Sequence, residues 1–234
     1  MSLDVPRILF ITGTDTGVGK TVVTASLLHW MRRQGMDALA MKPFCSGSRE
    51  DVRLLQAVQP GQLQDQEANP FFFREPVAPL VAARKERSVI RLREALDRIR
   101  RVAARCDLLL VEGAGGLLAP LGEGFTAAEL IRDLKAHACV AAANKLGTIN
   151  HALLTARTLA SFSPRSVCVI MTQTSGKADR SARTKAVMIA ELLSPIPVWS
   201  LPYLGKEASS VRMIERNLRR SNKVWAALLD SLQR

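Results

Sequence analysis

The sequence has few aromatic residues, few cysteines and no long apolar run. Aromatic residues make up 5% of the 234 residues, too few to predict a base-stacking surface for nucleic acid. Cys45, Cys106, Cys139 and Cys168 show no Cys-x-x-Cys spacing, which favours reduced thiols over a zinc site. No apolar run approaches the roughly 20 residues of a membrane helix, and the opening MSLDVPR lacks the pattern of a secretory signal. We therefore expect a cytoplasmic protein that binds neither nucleic acid nor membrane.

Acidic residues are also under-represented, with 21 Asp and Glu against 33 Lys and Arg, a formal net charge of +12. Much of the excess lies in residues 84–105 (RKERSVIRLREALDRIRRVAAR) and 212–223 (RMIERNLRRSNK). Both segments have helical periodicity, so we interpret most of these arginines as the solvated faces of helices. A basic surface also attracts small anionic ligands.

Short apolar or β-branched runs alternate with amphipathic stretches along the chain. The alternation predicts a doubly wound, mostly parallel sheet with helices on both faces, in one α/β domain over residues 1–234. Residues 48–79, rich in Gln and Pro, read as a loop decorating that domain. The predicted strands are Arg7–Thr12, Ala38–Lys42, Asp107–Glu112, Ala138–Ala143, Ser166–Thr172 and Pro197–Leu201.

The first predicted strand runs into a glycine-rich turn and then a helix, in RILFITGTDTGVGKTVVTASL (residues 7–27). Glycines let backbone N–H groups surround phosphate oxygens, and the helix start adds a favourable dipole. In such a loop Lys20 reaches the terminal phosphates and the Thr21 hydroxyl binds Mg²⁺. The loop is one residue longer than the usual G-x-x-x-x-G-K-[ST] spacing, because Gly13 and Gly19 are separated by five residues and Thr14 occupies the first-glycine position.

Three more polar, glycine-rich stretches follow predicted strands: AMKPFCSG with Lys42 and Ser46, LLLVEGAGG with Glu112, and NKLGTINH with Gly147 and Asn150. Each stretch alone could be an ordinary turn. Ligands of α/β sheets collect at the carboxyl ends of the strands. Four such strand ends at one edge of a sheet therefore indicate a phosphate-handling site.

These stretches together resemble the motifs of the dethiobiotin synthetase family. TGTDTGVGKT, KPFCSG, VEGAGG and KLGTINHALLTA occur in the family's order within residues 7–160, and the elongated phosphate loop is a family trait. NPFFFREPVAPLVAA is also similar to the family. The resemblance implies a P-loop NTPase fold and the ATP-dependent carboxylation and ring closure of 7,8-diaminopelargonic acid with CO₂. It implies a carbamate, then a carbamic–phosphoric anhydride, closed to dethiobiotin with release of phosphate, in a homodimer using Mg²⁺.

The resemblance also implies residue roles. Lys42 and Lys20 are the implied catalytic residues, and Thr21, Asp51 and Glu112 the implied Mg²⁺ ligands. Thr14 and Ser46 would bind the diamine end of the substrate. The helix start at Gly147, Thr148 and Asn150, from a second subunit, would receive the substrate carboxylate. The implied nucleotide contacts are Gly17, Val18, Gly19, Lys20, Thr21, Val22, Asp51, Glu112, Gly113, Ala114 and Gly115.

The sequence departs from the family at two places. Asp51 follows the KPFCSG stretch sooner than the family's equivalent does. The family reads adenine with an Asn-Asp-like pair, where this chain has Thr172 and Gln173, and Pro202 in SLPYLGKEAS would flank the base. Gln173 can still donate and accept hydrogen bonds. The nucleotide preference is therefore open at this stage.

Two other functions remain as alternatives. The first is a partitioning-type P-loop ATPase, a switch whose basic helices bind an acidic partner, which would explain the charge of +12. It gives no reason for the KPFCSG or KLGTINH stretches. A ligase of the same fold that acts on another carboxylate or amine is the second alternative.

Overall fold

A computed structural model describes residues 7–174, 176, 182–205 and 207–232. The strands in these ranges are β1 Arg7–Gly13, β2 Ala38–Met41, β3 Phe44–Ser46, β4 Phe71–Phe73, β5 Leu108–Glu112, β6 His137–Ala143, β7 Ser166–Thr172 and β8 Val198–Leu201. Six of them form one parallel sheet in the order β2-β5-β1-β6-β7-β8. All six predicted strands are confirmed, with ends that differ by at most one residue.

Helices connect these parallel strands and cover both faces of the sheet. Alternate residues of β1 enter different cores: Ile8 and Phe10 pack into one, and Leu9 and Ile11 into the other. Helices α1 and α9 belong to the second core, and α5, α6 and α7 to the first. Because both faces are covered, the strands are apolar on consecutive residues. The helices are α1 Lys20–Arg33, α2 Glu50–Val58, α3 Asp65–Ala68, α4 Pro79–Lys85, α5 Leu92–Ala103, α6 Ala127–Asp133, α7 Thr148–Ala160, α8 Ala182–Leu193 and α9 Val211–Leu232.

The prediction of a loop over residues 48–79 was wrong in part. The segment contains α2, α3 and β4, and β4 pairs with β3 in a second, two-stranded parallel sheet. The Phe44 and Phe71 rings stack with centroids 5.0 Å apart. On α2, Val52 and Leu55 are buried at helical spacing. The many Gln and Pro residues elsewhere in the segment obscure this periodicity. One consequence is that Asp51 lies in the first turn of a helix.

The two arginine-rich segments are largely helical, as predicted: residues 84–105 include α5, and residues 212–223 lie within α9. On α5, Leu96 and Ile99 are buried while Arg98 and Arg101 are exposed, which is the pattern of a solvated basic face. In the described part of the chain, no helix combines the length and the apolar character needed to cross a membrane.

Candidate active site

A cleft of about 830 Å³ opens at the carboxyl edge of the main sheet. Its floor is made where β1 turns into the phosphate loop, where Lys42 follows β2, and where Glu112 ends β5. The strand order places β5 next to both β1 and β2, so these three strand ends meet. The predicted site residues that line the cleft are Gly17, Gly19, Lys20, Thr21, Val22, Lys42, Ser46, Asp51, Glu112, Ala114 and Gly115.

The phosphate loop has the backbone that its glycines allow. Gly17 and Gly19 have φ angles of +72° and +90°, in the left-handed region where a β-carbon is unfavourable. Gly19 caps α1, which begins at Lys20. Thr14 lies at the start of the loop, where its N–H donates to the Ala141 carbonyl of β6 at 3.0 Å. The loop is therefore attached to the sheet at its first residues and to a helix at its last.

Lys20 connects the loop to the turn after β5. Its Nζ donates to the carbonyl oxygens of Asp15 at 2.9 Å and Gly115 at 2.7 Å. The side chain is buried, and this burial lowers the pKa of Lys20 to about 8, an effect that the carboxylate of Glu112 partly offsets. In this arrangement the ammonium group already lies among oxygen acceptors, which a phosphate could replace.

Glu112 is the centre of a charged cluster. It is fully buried, and its Oε1 accepts hydrogen bonds from Thr21 Oγ1 at 2.7 Å and from Lys42 Nζ at 2.9 Å. Lys42 also forms an ion pair with Asp51. Burial disfavours the charge on Lys42, but the carboxylates of Glu112 and Asp51 outweigh it and raise the pKa of Lys42 above its ordinary value. Lys42 is therefore an ammonium ion held between two carboxylates.

The cluster has donors suited to a hard cation. Glu112 Oε2 is buried and accepts no hydrogen bond from the described residues, and Thr21 and Asp51 bring a hydroxyl and a second carboxylate to the same cleft. Oxygen ligands of this kind suit Mg²⁺. Within the described ranges no group of three or more His, Cys, Asp and Glu residues could hold a metal. A cation here would need further oxygen ligands from water or from a bound phosphate.

The cleft is also lined by residues that the sequence did not indicate, namely residues 76–79 and Ser209. Ser46 Oγ donates to the Val77 carbonyl at 2.6 Å, which joins β3 to the wall formed by residues 76–79. Ser209, just before α9, also lines the cleft. The proline-rich stretch EPVAP was a usable signal for this wall, whereas nothing near Ser209 distinguishes it from other surface serines.

Several predicted site residues lie outside the cleft wall. Gly113, Gln173 and Pro202 are not among the residues that line it. Gly147 caps α7 with a φ of +84°, and the following Thr148 is buried. The remaining members of this group are Thr14, Val18, Asn150 and Thr172.

The loop before α7 approaches the phosphate loop from outside. Lys145 Nζ lies 4.0 Å from Asp15 Oδ2, and Gly147 and Asn150 are exposed. The start of α7 is therefore accessible and close to the loop without forming part of the cleft. A ligand that bridged both would have to extend beyond the cleft.

Thr172 occupies an unexpected position. It ends β7 and is buried beneath the phosphate loop, where its Oγ1 donates to the Val18 carbonyl at 2.6 Å. A hydroxyl has one proton, and this contact uses it. Thr172 stands where the family reads adenine, and here it has no hydroxyl proton left to donate to a base; only its oxygen could accept a hydrogen bond from one.

The fold and the site together define the chain as a P-loop nucleotide-binding protein. The chain is 36% identical over 209 residues to the ATP-dependent dethiobiotin synthetase BioD of Bacillus licheniformis (87% of this chain, 88% of that one), and 38% identical over 216 residues to that of Anaeromyxobacter sp. (91% and 97%). The chain therefore belongs to the family of ATP-dependent dethiobiotin synthetases.

More general comparisons agree on the fold. A family model described as an AAA domain matches residues 7–211. The septum site-determining protein MinD of Pyrococcus horikoshii superposes with a TM-score of 0.57 at 13% identity, covering 93% of this chain and 95% of that one. A ParA family ATPase from Chlorobium tepidum superposes with a TM-score of 0.55 at 12% identity, covering 94% and 92%. At these identities the likeness extends to the fold alone.

Proposed function

We propose that the chain catalyses the ATP-dependent carboxylation and ring closure of 7,8-diaminopelargonic acid with CO₂, giving dethiobiotin, ADP and phosphate. The observation that carries the proposal is the cleft in which two buried ammonium groups, Lys20 and Lys42, lie with Glu112, Asp51 and Thr21. Phosphoryl transfer to a carbamate depends on positioning and on neutralising charge. The cleft offers groups for both tasks.

The two lysines act at different points of the reaction. Lys20, at the end of the phosphate loop, binds the terminal phosphates of ATP. Lys42 stabilises negative charge on the carbamate and on the phosphoryl group in transfer. Because Glu112 and Asp51 raise the pKa of Lys42, Lys42 stays protonated near neutral pH and is suited to this electrostatic role rather than to that of a general base. Thr14 and Ser46 hydrogen-bond the diamine end of the substrate.

Thr21, Asp51 and Glu112 hold Mg²⁺ in this proposal. The support is the donor set itself, and above all the buried Glu112 oxygen that accepts no hydrogen bond from the described residues. When bound, the ion supplies neutralisation of the phosphate charge. Two carboxylates and a hydroxyl leave room for phosphate oxygens and water around an octahedral ion.

The adenine base lies toward Gln173 and Pro202, above the carboxyl ends of β7 and β8. Gln173 directly follows Thr172, which contacts the phosphate loop. The backbone N–H of Gln173 donates to the carbonyl of Leu201, the residue before Pro202, at 3.3 Å. The Gln173 amide, which has both donors and an acceptor, is the group in this proposal that can read the base.

A homodimer completes the site. Leu146 and Leu154 are 93% and 59% exposed, and the neighbouring α8 exposes Val187, Met188 and Leu192. Exposed apolar patches of this kind mark interaction surfaces. In the dimer the start of α7, with Gly147, Thr148 and Asn150, receives the substrate carboxylate from across the interface. The proposal includes no nucleic-acid or membrane partner, and a cytoplasmic location.

The proposal is tested by supplying diamine, bicarbonate, ATP and Mg²⁺ and measuring dethiobiotin, ADP and phosphate together. We expect the three products in equal amounts, with ADP formation dependent on the diamine. Lys20→Ala should abolish turnover while leaving the thermal unfolding temperature close to that of wild type. ATP hydrolysis at the same rate without diamine would indicate a switch-type ATPase, and phosphorylation without ring closure would indicate a ligase for another substrate.

A further inference from the structure

Thr172 contacts the phosphate loop at a single peptide group. Its Oγ1 donates to the Val18 carbonyl at 2.6 Å, across a separation of 154 residues along the chain, and the Ala142 carbonyl of β6 is a second, more distant acceptor at 3.3 Å. Both residues are buried: 5% of the surface of Thr172 and 1% of that of Val18 is exposed. A hydrogen bond so well shielded from water is stronger than an exposed one.

The same side chain also packs against the next residue of the loop. A β-carbon placed on Gly19 would lie 3.4 Å from Thr172 Cγ2 and 3.5 Å from its Oγ1. The Val18 side chain packs on Ala141 and Ala143 of β6. The Val18–Gly19 peptide therefore packs against the ends of two strands, β6 and β7.

The orientation of that peptide decides what faces the cleft. A trans peptide is planar, with its C=O and N–H on opposite sides. Since the Val18 carbonyl points toward Thr172, the Gly19 N–H points in the opposite direction. Gly19 also lines the cleft. Backbone N–H groups aimed at a common point are what a phosphate loop uses to bind its ligand.

We propose that Thr172 is a positioning residue, whose hydroxyl fixes the Val18–Gly19 peptide so that the Gly19 N–H is aimed at bound phosphate. This inference rests on the proposed function only in that the loop binds a polyphosphate. Thr172 acts through the loop and touches neither the base nor the diamine. The loss of its hydroxyl should then weaken binding of any polyphosphate equally, whatever base it carries.

The test compares Thr172→Val, which keeps the shape and loses the hydroxyl, with Thr172→Ser, which keeps the hydroxyl. Dissociation constants for ATP, GTP, CTP and inorganic tripolyphosphate are measured by calorimetry with Mg²⁺ and without diamine. We expect Thr172→Val to weaken all four by the same factor, roughly five- to tenfold from one lost hydrogen bond, and Thr172→Ser to restore them. The KM for ATP should rise and that for diamine stay unchanged.

The other outcomes overturn the inference, the proposed function, or both. A loss of affinity confined to ATP would make Thr172 a base-reading residue. Equal losses of affinity in Thr172→Ser and Thr172→Val would show that the hydroxyl has no role. Unchanged polyphosphate affinities in a destabilised Thr172→Val protein would mean that the Thr172–Val18 contact is purely structural. If Thr172→Val does not fold, Thr172→Ala takes its place in the comparison. Wild-type protein that binds no tripolyphosphate overturns both proposals, whereas one that binds it but makes no dethiobiotin overturns the proposed function alone.

Discussion

At the scale of single residues, the site depends on a carboxylate that is costly to bury. An unpaired charge as deeply buried as Glu112 would destabilise the fold by several kcal/mol. Hydrogen bonds from Thr21 and Lys42 to the same oxygen, Oε1, offset that cost, while Oε2 is left without a partner among the described residues. The cluster thus combines a buried ion pair with a second, buried carboxylate oxygen, on a residue that lines the cleft.

Replacing Glu112 by glutamine separates the charge of this side chain from its shape. We expect the Mg²⁺ concentration for half-maximal activity to rise at least tenfold, because an amide is a poorer ligand than a carboxylate and even outer-shell changes at metal sites cost about 10- to 100-fold. The measurement is an Mg²⁺ titration of dethiobiotin formation at saturating ATP. Glu123→Gln is the control, since Glu123 is an exposed carboxylate paired with Arg84. An unchanged titration in Glu112→Gln would remove Glu112 from the metal site.

His137, at the other end of the sheet, should make stability depend on pH. It is buried at the start of β6 with Nδ1 2.8 Å from Ser166 Oγ. Burial, with the charges of Arg165 and Arg7, lowers the pKa of His137 to about 4 from an ordinary value of 6.5. The unfolded chain therefore takes up a proton at a higher pH than the folded chain does, so stability is full above pH 6.5 and falls as the pH drops toward 4.

The variant His137→Asn keeps a group at the position of Nδ1 and removes the titration. Between pH 7.5 and 4.5 we expect the wild type to lose 1–3 kcal/mol more of its unfolding free energy than this variant, roughly as its pKa shift implies. Urea unfolding at several pH values measures the difference. His151→Asn is the matched control, because His151 is exposed on α7. Parallel pH profiles for wild type and His137→Asn would contradict the assignment.

At the scale of elements, the main sheet could be predicted because strands buried on both faces are apolar at consecutive positions. The phosphate loop could be predicted because its backbone requires glycine at Gly17 and Gly19. The three-residue strands β3 and β4 could not, since three residues contain no measurable period. The contact of Thr172 with the phosphate loop could not be predicted either, because its partner Val18 is 154 residues away and a threonine at the end of a strand is common.

Gly17 and Gly61 allow a test of the loop's backbone. They have nearly equal φ angles, +72° and +74°, and at each of them an added β-carbon would meet nothing within 4 Å. Alanine at either position should cost about 1–2 kcal/mol of stability, from the left-handed conformation alone. Only Gly17→Ala should raise the dissociation constant for ATP, because Gly17 lines the cleft and a methyl group there would meet the phosphates. Denaturant unfolding and calorimetry give the two quantities, and equal ATP affinities in the two variants would exclude close phosphate approach at Gly17.

At the scale of the whole molecule, charge and apolar surface lie on different elements. The exposed arginines of α5 and α9 account for much of the charge of +12, and the residue pattern alone indicated these helices. Of the exposed leucines, Leu146 lies within the KLGTINH stretch and Leu154 follows it on α7. The sequence singled out this stretch for its chemistry and not for its surface. That the whole chain forms one domain remains a prediction.

The apolar surface leads to a prediction about assembly. If α7 and α8 form the dimer interface, Leu154→Glu should place a charge in it and weaken the dimer by at least about 30-fold, which corresponds to about 2 kcal/mol for a buried unpaired polar group. Sedimentation velocity over a range of protein concentrations measures this shift. The KM for the diamine should rise along with dissociation, because the start of α7 would no longer reach the partner's cleft, while the affinity for ATP should remain unchanged.

Val89→Glu provides the matched control for this experiment. Val89 is 57% exposed, against 59% for Leu154. It precedes α5, which leads into β5, whereas α7 and α8 connect β6, β7 and β8 on the other side of β1 in the sheet. It should change neither the sedimentation coefficient nor the KM for the diamine, since a glutamate there stays in water. A second experiment mixes Lys42→Ala subunits with subunits in which a substitution at Gly147 blocks the start of α7. Activity should be restored, because each mixed dimer would contain one intact site. A fully active Leu154→Glu monomer with unchanged KM would show that each subunit works alone, and the proposed two-subunit site would then be wrong.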